Sequence, residues 1–219
     1  MKIIAEAGCN WHTRREAIEF IKRSKELGLF ATKFQIYNDD LIKDNPHREF
    51  LKSIMIDKNL AAMLFLYGHQ IDQEVFFTPM FLEAIEWCED IGVNYYKIRY
   101  ADRNNATMLD KIASINKPTF LSCDIRYLNW KYVDETKQPY FMYCSPKYPS
   151  DLSDYRFSIK YGRDKNFQGI SDHTSDLQLL KTCLEHDKYQ YFEKHVKLNW
   201  NCIEEKWSVT FKELEEVLK

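Results

Sequence analysis

The sequence predicts a short parallel (β/α)8 barrel, the TIM architecture. Three observations point there. Segments of strand character alternate with helical segments to give eight strand-helix units. Capping residues open several helices and glycines close them. The length, 219 residues, lies near the lower limit for such a barrel. A doubly wound open sheet shares the alternation and remains the competing topology. No linker, low-complexity segment or shift of composition divides the chain, so residues 1–219 are expected to form a single domain.

The first strand is Lys2 to Ala7, and the helix after it opens on Thr13 with Glu16 three residues on and stops at Gly28. Ala31 to Ile36 is the second strand. A polar stretch from Asn38 to Pro46 follows, then a helix from about Asp57 with Leu60, Leu64 and Tyr67 at helical spacing. Glu74 to Phe77 is the third strand. Its helix, Phe81 to Ile91, aligns Leu82, Ile85 and Cys88 and ends at Gly92. Tyr95 to Ile98 is the fourth strand, with a helix from about Asn105 to Ser114. Thr119 to Ser122 and Tyr140 to Cys144 are strands five and six. Between them lies a segment rich in Trp, Tyr, Lys and Asp without helical periodicity, so reduced connections are expected after both. Phe167 to Ser171 is strand seven, followed by a helix opening on Ser175 with Gln178. Strand eight is Tyr189 to His195, and Thr210 to Leu218 is the last helix.

Composition narrows the function classes. Hydrophobic residues at 45% and charged residues at 29% describe an ordinary soluble globular protein. A net charge of -2 argues against nucleic-acid binding, which shows a basic excess. No run approaches the roughly 18 apolar residues of a membrane span, and no secretory signal pattern is present. The six cysteines show no CxxC spacing and read as reduced thiols of a cytoplasmic protein.

Parallel strands covered on both faces should be nearly continuous apolar runs. Four strands here carry charges instead: Glu6 in the first, Lys33 in the second with Gln35 on the same face, Lys97 in the fourth and Glu193 in the eighth. Unpaired buried charges cost several kcal/mol. Internal pairing or frayed strand ends would account for any one of them. Four on different strands fit a barrel whose active site gathers at the strand C-termini. Two lysines converging there make an anion site suited to a phosphorylated carboxylate. Ser122 and Ser171 end strands five and seven and could hydrogen-bond phosphate oxygens. His173 and His195 stand at adjacent strand ends, each beside an acidic residue, and two imidazoles so placed suit a divalent metal. The acid beside each is expected to orient the ring. His12, His47, His69 and His186 have no such setting.

In order and spacing these residues resemble the catalytic barrel of the N-acetylneuraminate (sialic acid) synthase family, which includes legionaminate and pseudaminate synthases and spore-coat polysaccharide proteins. The resemblance runs nearly end to end. It is carried by Ile3 to Asn10, Lys33-Phe34-Gln35, Phe76-Phe77-Thr78-Pro79, Lys97-Ile98, Lys117-Pro118, Leu121-Ser122, Cys144 to Pro149, Ser171 to Thr174 and Glu193 to His195. It implies condensation of phosphoenolpyruvate with an N-acetylated amino-sugar aldehyde, of the N-acetylmannosamine kind, to a nonulosonic 2-keto acid with release of phosphate. By position, His173 and His195 correspond to ligands of a divalent metal, typically Mn2+. Lys33, Lys97, Ser122 and Ser171 correspond to the phosphoenolpyruvate set, with Gln35 beside them. Glu6 and Glu193 correspond to the acidic pair at the reacting carbons, and Tyr148 to a tyrosine on the sugar side. Asp102 stands near a usual acceptor-side glutamate.

The departures gather on the sugar side. Pro146 replaces a usual asparagine, Glu204 stands where an acceptor-binding aspartate is expected, and Cys123-Asp124-Ile125 replaces Thr-Gly-Met. Asn10-Trp11-His12 replaces Asn-His-Asn-Gly in the first loop. The chain reaches Lys219 without the antifreeze-like domain that caps family enzymes, so homodimerisation through that domain stays open. Arg99 and Arg126, near the ends of strands four and five, could replace lost anion contacts but are read as solvated surface residues. A sugar- or sugar-acid-binding barrel without chemistry, or a subunit needing a separate cap, is the alternative reading. A metal-dependent aldolase on the same barrel is a third, with less need for two phosphate-directed lysines.

Overall fold

The computed structural model describes residues 1–126, 139–156, 167–186, 189–198 and 202–219. Eight strands run in chain order around a cylinder: β1 (Lys2–Gly8), β2 (Ala31–Ile36), β3 (Glu74–Pro79), β4 (Tyr96–Ile98), β5 (Thr119–Cys123), β6 (Tyr140–Cys144), β7 (Gly169–Asp172) and β8 (Tyr191–Lys197). Each pairs in parallel with the next, and β8 pairs back onto β1 with Glu6 opposite His195. That closure excludes the open sheet. A short β9 (Val209–Thr210) extends the far end of β8. Around the strands lie α1 (Arg14–Glu26), α2 (Asp39–Ile42), α3 (Arg48–Ser53), α4 (Lys58–Gln70), α5 (Leu82–Ile91), α6 (Ala106–Ile115), α7 (Gln178–His186) and α8 (Phe211–Leu218).

The caps explain where several helices begin. Thr13 accepts from the backbone N–H of Glu16 at 3.2 Å and Asp57 from that of Leu60 at 2.7 Å. Thr210 and Glu213 form a reciprocal capping box at the start of α8. Gly28 and Gly92 take φ of 64° and 85° where α1 and α5 stop. Two places differ from the expectation. The polar stretch after β2 holds α2, capped by Asn38, whose side chain accepts from Leu41 N–H at 3.1 Å. The helix after β7 begins at Gln178, not Ser175, because the chain first bridges from Thr174 to Ser150 and Asp176 then accepts from Gln178 N–H at 2.9 Å. The reduced connections expected after β5 and β6 fall largely on residues 127–138 and 157–166, outside the described residues.

Two apolar layers hold the cylinder. The outer one packs strand residues such as Phe34, Phe77, Ile170 and Phe192 against helix residues including Phe20, Ile21, Leu64, Ile85 and Leu180. The inner one fills the lower bore with Ile4, Ala31, Phe76, Phe120, Met142 and Tyr191. Phe120 is its hub, with ring centroids 4.8 Å from Tyr191 and 5.6 Å from Phe76. Gly169 makes room there: a Cβ would lie 2.5 Å from Met142 Sδ and 2.6 Å from the Tyr191 carbonyl oxygen. Above this plug every inward position changes character. Moving two residues along each strand replaces Ile4 by Glu6, Ala31 by Lys33, Phe120 by Ser122 and Tyr191 by Glu193. The floor is dry and the mouth is charged.

Candidate active site

Four buried ionic side chains interlock just above the apolar plug. Lys33 pairs with Glu6 in direct contact and donates to Thr78 Oγ1 at 2.8 Å. Lys97 donates to Glu193 Oε1 at 2.7 Å, and Ser171 Oγ donates to the same oxygen at 2.8 Å. Glu193 Oε2 lies 3.8 Å from Lys33, which links the two pairs. Gln35 donates to Glu6 Oε1 at 2.6 Å. Lys33, Lys97, Glu6 and Glu193 are each 3% exposed or less, so water does not screen them.

The charges follow from these neighbours. Burial pulls Lys33 down, but the carboxylates of Glu193 and Glu6 outweigh it and raise its pKa, so it remains an ammonium. Lys97 is lowered, first by burial, with the positive charge of Lys33 adding to it against the pull of Glu193. Burial pushes Glu193 up, and Lys33 and Lys97 more than offset it, holding it well below the usual carboxylate range. The quartet thus sets two lysines against two glutamates, a formally balanced set. Ser122 Oγ, also buried, finds no hydrogen-bond partner among the described residues.

The two histidines stand above the quartet. Their ring centroids are 5.4 Å apart at 67°. His173 Nδ1–H donates to the Ser145 carbonyl at 2.8 Å, and His195 Nδ1–H donates to Glu204 Oε2 at 3.0 Å. Each ring thus turns Nε2 away from that partner, and on His173 the Cys144 Sγ lies 4.0 Å from it. Two imidazoles sharing one ion through nitrogens about 2.1 Å away have centroids about 5–6 Å apart. The pair fits a divalent ion in spacing and tautomer. Among the described residues no three or more His, Cys, Asp and Glu side chains form a metal cage, so these two rings are the protein ligands the site could offer. Burial, and then the neighbouring His195, lower the pKa of His173, which keeps its ring neutral and suited to a metal. His195 is raised: burial opposes its charge but Glu204 more than compensates.

The acids beside the histidines in sequence do not orient them. Asp172 and Lys194 point to the opposite face of the sheet from His173 and His195, as adjacent strand residues must. There they form a fully buried ion pair at 2.9 Å. The groups that hold the rings come from loops: Ser145 after β6, and Glu204 before β9. Glu204 is itself fixed by the Cys9 N–H at 3.3 Å and donates its own N–H to Asn10 Oδ1 at 3.2 Å. It approaches this closely because residue 8 is glycine; a Cβ there would lie 2.1 Å from Glu204 Oε2. Sequence reasoning placed Glu204 on the sugar side and did not connect it to His195, from which a loop separates it.

Tyr148 is half exposed and stacks on His173 at 3.9 Å and 27°, forming one wall of the mouth with Trp207 5.4 Å away. A narrow cleft runs from this wall down to the quartet. Its lining includes Glu6, Lys33, Gln35, Lys97, Ser122, Tyr148, Ser171, His173, Glu193 and His195, together with Thr78, Arg99, Tyr100 and Cys144. Asp102 is not in that lining; it lies behind the wall, clamped to the Arg99 guanidinium. Arg99 lines the mouth of the cleft, two residues beyond Lys97, and its side chain is 38% exposed, in keeping with the solvated reading. Arg126 is exposed and pairs with Asp124. A wider surface groove lies between α1 and α8. Most of its charges, such as Arg23 with Glu19, are exposed and paired along the helix, and the buried Lys197 beside them donates to the Glu205 carbonyl at 3.0 Å.

Known proteins resemble this chain in sequence and fold. An uncharacterized protein of Methanocaldococcus jannaschii is 26% identical over 91% of the chain, and the chain spans 63% of that protein's length. The N,N'-diacetyllegionaminic acid synthase of Campylobacter jejuni is 22% identical over 91% of the chain, which covers 68% of it. The crystal structure of an N-acetylneuraminic acid synthetase from Leptospira borgpetersenii, in complex with citrate, superposes with a TM-score of 0.83 at 23% identity. That superposition covers 99% of this chain and 80% of the other. Among the described residues no helix is long and apolar enough to cross a membrane. The NeuB family model matches residues 20–219, spanning seven of the eight barrel strands and every cleft-lining residue above except Glu6, and the chain belongs to the NeuB family.

Proposed function

We propose that this barrel condenses phosphoenolpyruvate with an N-acetylated amino-sugar aldehyde to a nonulosonic 2-keto acid, releasing inorganic phosphate. The observation that carries this reading is the formally balanced, buried Lys33–Glu6–Glu193–Lys97 quartet beneath two imidazoles. Membership in the NeuB family supports it, as does the similarity to a legionaminic acid synthase.

The reaction joins C3 of phosphoenolpyruvate to the aldehyde carbon. Water adds its oxygen to C2 and gives up two protons, one to the former aldehyde oxygen and one to the departing phosphate. The bond between C2 and the bridging ester oxygen breaks, that oxygen leaves with the phosphate, and the water oxygen becomes the ketone oxygen. Lys33 and Lys97 would bind the anionic donor, exchanging part of their contact with Glu6 and Glu193 for contact with it. The two carboxylates so released sit where the attacking water must be held. Glu193, kept ionised by its lysines, is placed to accept that water's proton, and Glu6, held by Gln35, to orient it. Ser122 and Ser171 supply hydroxyls to donor oxygens. Tyr148 would face the sugar. His173 and His195 would hold a divalent ion such as Mn2+, which when bound supplies Lewis-acid polarisation of the aldehyde oxygen.

The test is a phosphate-release assay with phosphoenolpyruvate, N-acetylmannosamine or a diacetamido analogue, and Mn2+. Phosphate should appear only when all three are present, and His195→Ala should abolish it. Donor binding by calorimetry without phosphate release from any of the N-acetyl amino sugars would overturn the acceptor assignment and favour a binding barrel.

A further inference from the structure

The strand that carries His173 loses its neighbour just before it reaches that residue. β6 and β7 pair as far as Cys144 opposite Ser171. The next backbone pairing on this edge, among the described residues, is the bridge from Ser150 to Thr174. In an extended strand the carbonyl of one residue and the N–H two residues on face the same edge. The Ser171 carbonyl and the His173 N–H are such a pair, and a parallel neighbour would meet both. A side chain meets them instead. The phenol oxygen of Tyr155 donates to the Ser171 carbonyl at 3.0 Å and accepts from the His173 N–H at 3.0 Å. It also accepts from Ser150 Oγ at 3.3 Å, so it gives one hydrogen and takes two.

That substitution changes what the loop after β6 can do. The Ser145 carbonyl accepts from His173 Nδ1–H at 2.8 Å, while the backbone N–H of the same histidine goes to Tyr155. Tyr155 is fully buried and ends a short 3-10 turn, Leu152–Tyr155. The turn is fastened at Asp154, whose carboxylate accepts from Lys147 Nζ at 2.6 Å and from the Asp151 N–H at 3.0 Å. The Asp154 carbonyl accepts from the Tyr143 hydroxyl at 3.1 Å, and the Tyr143 and Tyr155 rings meet edge-on at 5.9 Å. We propose that Tyr155 is a positioning residue for the site: by standing in for a strand neighbour, it satisfies the backbone around His173 and reserves the Ser145 carbonyl for the imidazole. The same phenol holds the carbonyl of Ser171, whose hydroxyl donates to Glu193, so one oxygen braces the segment that serves both the histidine pair and the quartet. The inference rests on the metal reading above for its use, though not for its geometry. Without the phenol oxygen the His173 N–H is a buried donor in need of an acceptor. The Ser145 carbonyl, already beside that residue, is then drawn from ring to backbone, and the imidazole loses the contact that fixes its tautomer.

Tyr155→Phe in the full chain removes the hydroxyl and keeps the buried ring. Two measurements read the result. Long-range 1H–15N spectra of the metal-free chain should show His173 as the Nδ1–H tautomer in the wild type and as a mixture in the variant. Calorimetric titration with Mn2+ should show affinity about 10-fold weaker in the variant, the low end for losing a group that orients a ligand. Leu64→Ala, which opens the outer apolar layer at α4 instead, should lower the melting temperature and leave both readings as in the wild type. Asp154→Ala loosens the turn from its exposed side and should shift both readings the same way by a smaller amount; it decides the matter if Tyr155→Phe does not fold. A Tyr155→Phe chain that melts lower yet keeps the wild-type tautomer and Mn2+ affinity makes the tyrosine a structural residue and overturns the proposal. A wild-type chain that takes no Mn2+ refutes the metal reading itself, and the tautomer comparison then decides for or against Tyr155.

Discussion

Replacing Lys194 with methionine tests how the site is held from behind. Lys194 Nζ is fully buried on the outer face of β8 and donates to Asp172 Oδ2 at 2.9 Å and to the Thr174 carbonyl at 2.6 Å. Asp172 Oδ1 accepts from the Thr174 N–H at 2.7 Å. The pair therefore ties the segment on either side of His173 to the strand that carries His195. Methionine matches the stem but leaves the Asp172 carboxylate buried without a cation, a change that costs about 3–5 kcal/mol. For a chain of this size each kcal/mol lowers Tm by about 2–4 °C, so the fall should be about 6–20 °C. Circular dichroism melts of wild type, Lys194→Met, Asp172→Asn and the double variant give the cycle. The double variant removes both charges and should be more stable than the sum of the single losses allows, by at least about 1 kcal/mol of coupling. A single-variant loss below about 1 kcal/mol would show that the pair is solvated and that this account of the His173 strap is wrong.

Glu204→Gln keeps the shape of the group that holds His195 Nδ1 but removes its charge. If the two histidines take Mn2+, the affinity should fall about 10- to 100-fold, read by calorimetry on the unsubstituted and variant chains; unchanged affinity would separate Glu204 from the metal role. Gly169→Ala presses a methyl against Met142 Sδ and the Tyr191 carbonyl oxygen and should cost about 1–3 kcal/mol in urea unfolding; an unchanged midpoint would mean that the bore is looser than described. Burial pushes the Cys88 and Cys144 thiols up to about 12 and the Cys202 thiol to about 11. Cys202 is the only one of the six cysteines not fully buried, so brief iodoacetamide treatment at pH 8 should label it first, slowly, and the others only after denaturation. Early labelling of Cys144 by peptide mass spectrometry would place that thiol in solvent.

The sequence exposed the site because its charges violate a pattern that physics otherwise enforces. Strands packed on both faces have no cheap place for Glu6, Lys33, Lys97 or Glu193, so charges at alternate positions of four strands mark one shared face. The same alternation, applied strictly, would have corrected the reading of Asp172 as the group that orients His173: like Lys194, it neighbours an inward residue and must face out. Glu204 was harder to see. Its link to His195 depends on a loop path that no periodicity encodes and on the missing Cβ of Gly8. The helix α2 was hidden for a similar reason, since its short polar sequence carries an Asn38 cap and almost no apolar face.

A formally balanced quartet raises the question of why the barrel keeps charges where Ile or Phe would pack better. Replacing buried ion pairs with apolar groups is often neutral or stabilising, and the plug just below shows that this bore accepts aromatic residues. The quartet is therefore a cost to stability in the empty protein. It becomes useful only if something enters that the glutamates can give up their lysines to. An anion of two or more charges meets that condition, because it replaces both carboxylates at once and leaves them free beside the bound molecule as proton acceptors. A neutral sugar does not, since it offers the ammonium groups nothing better than the glutamates they already have. The quartet thus suits an anionic ligand, as the proposed donor reading requires, and Lys97→Met with Glu193→Gln would check it. That double variant should unfold at a higher temperature than the wild type while losing phosphoenolpyruvate binding, and a lower melting temperature would show that the quartet is structural.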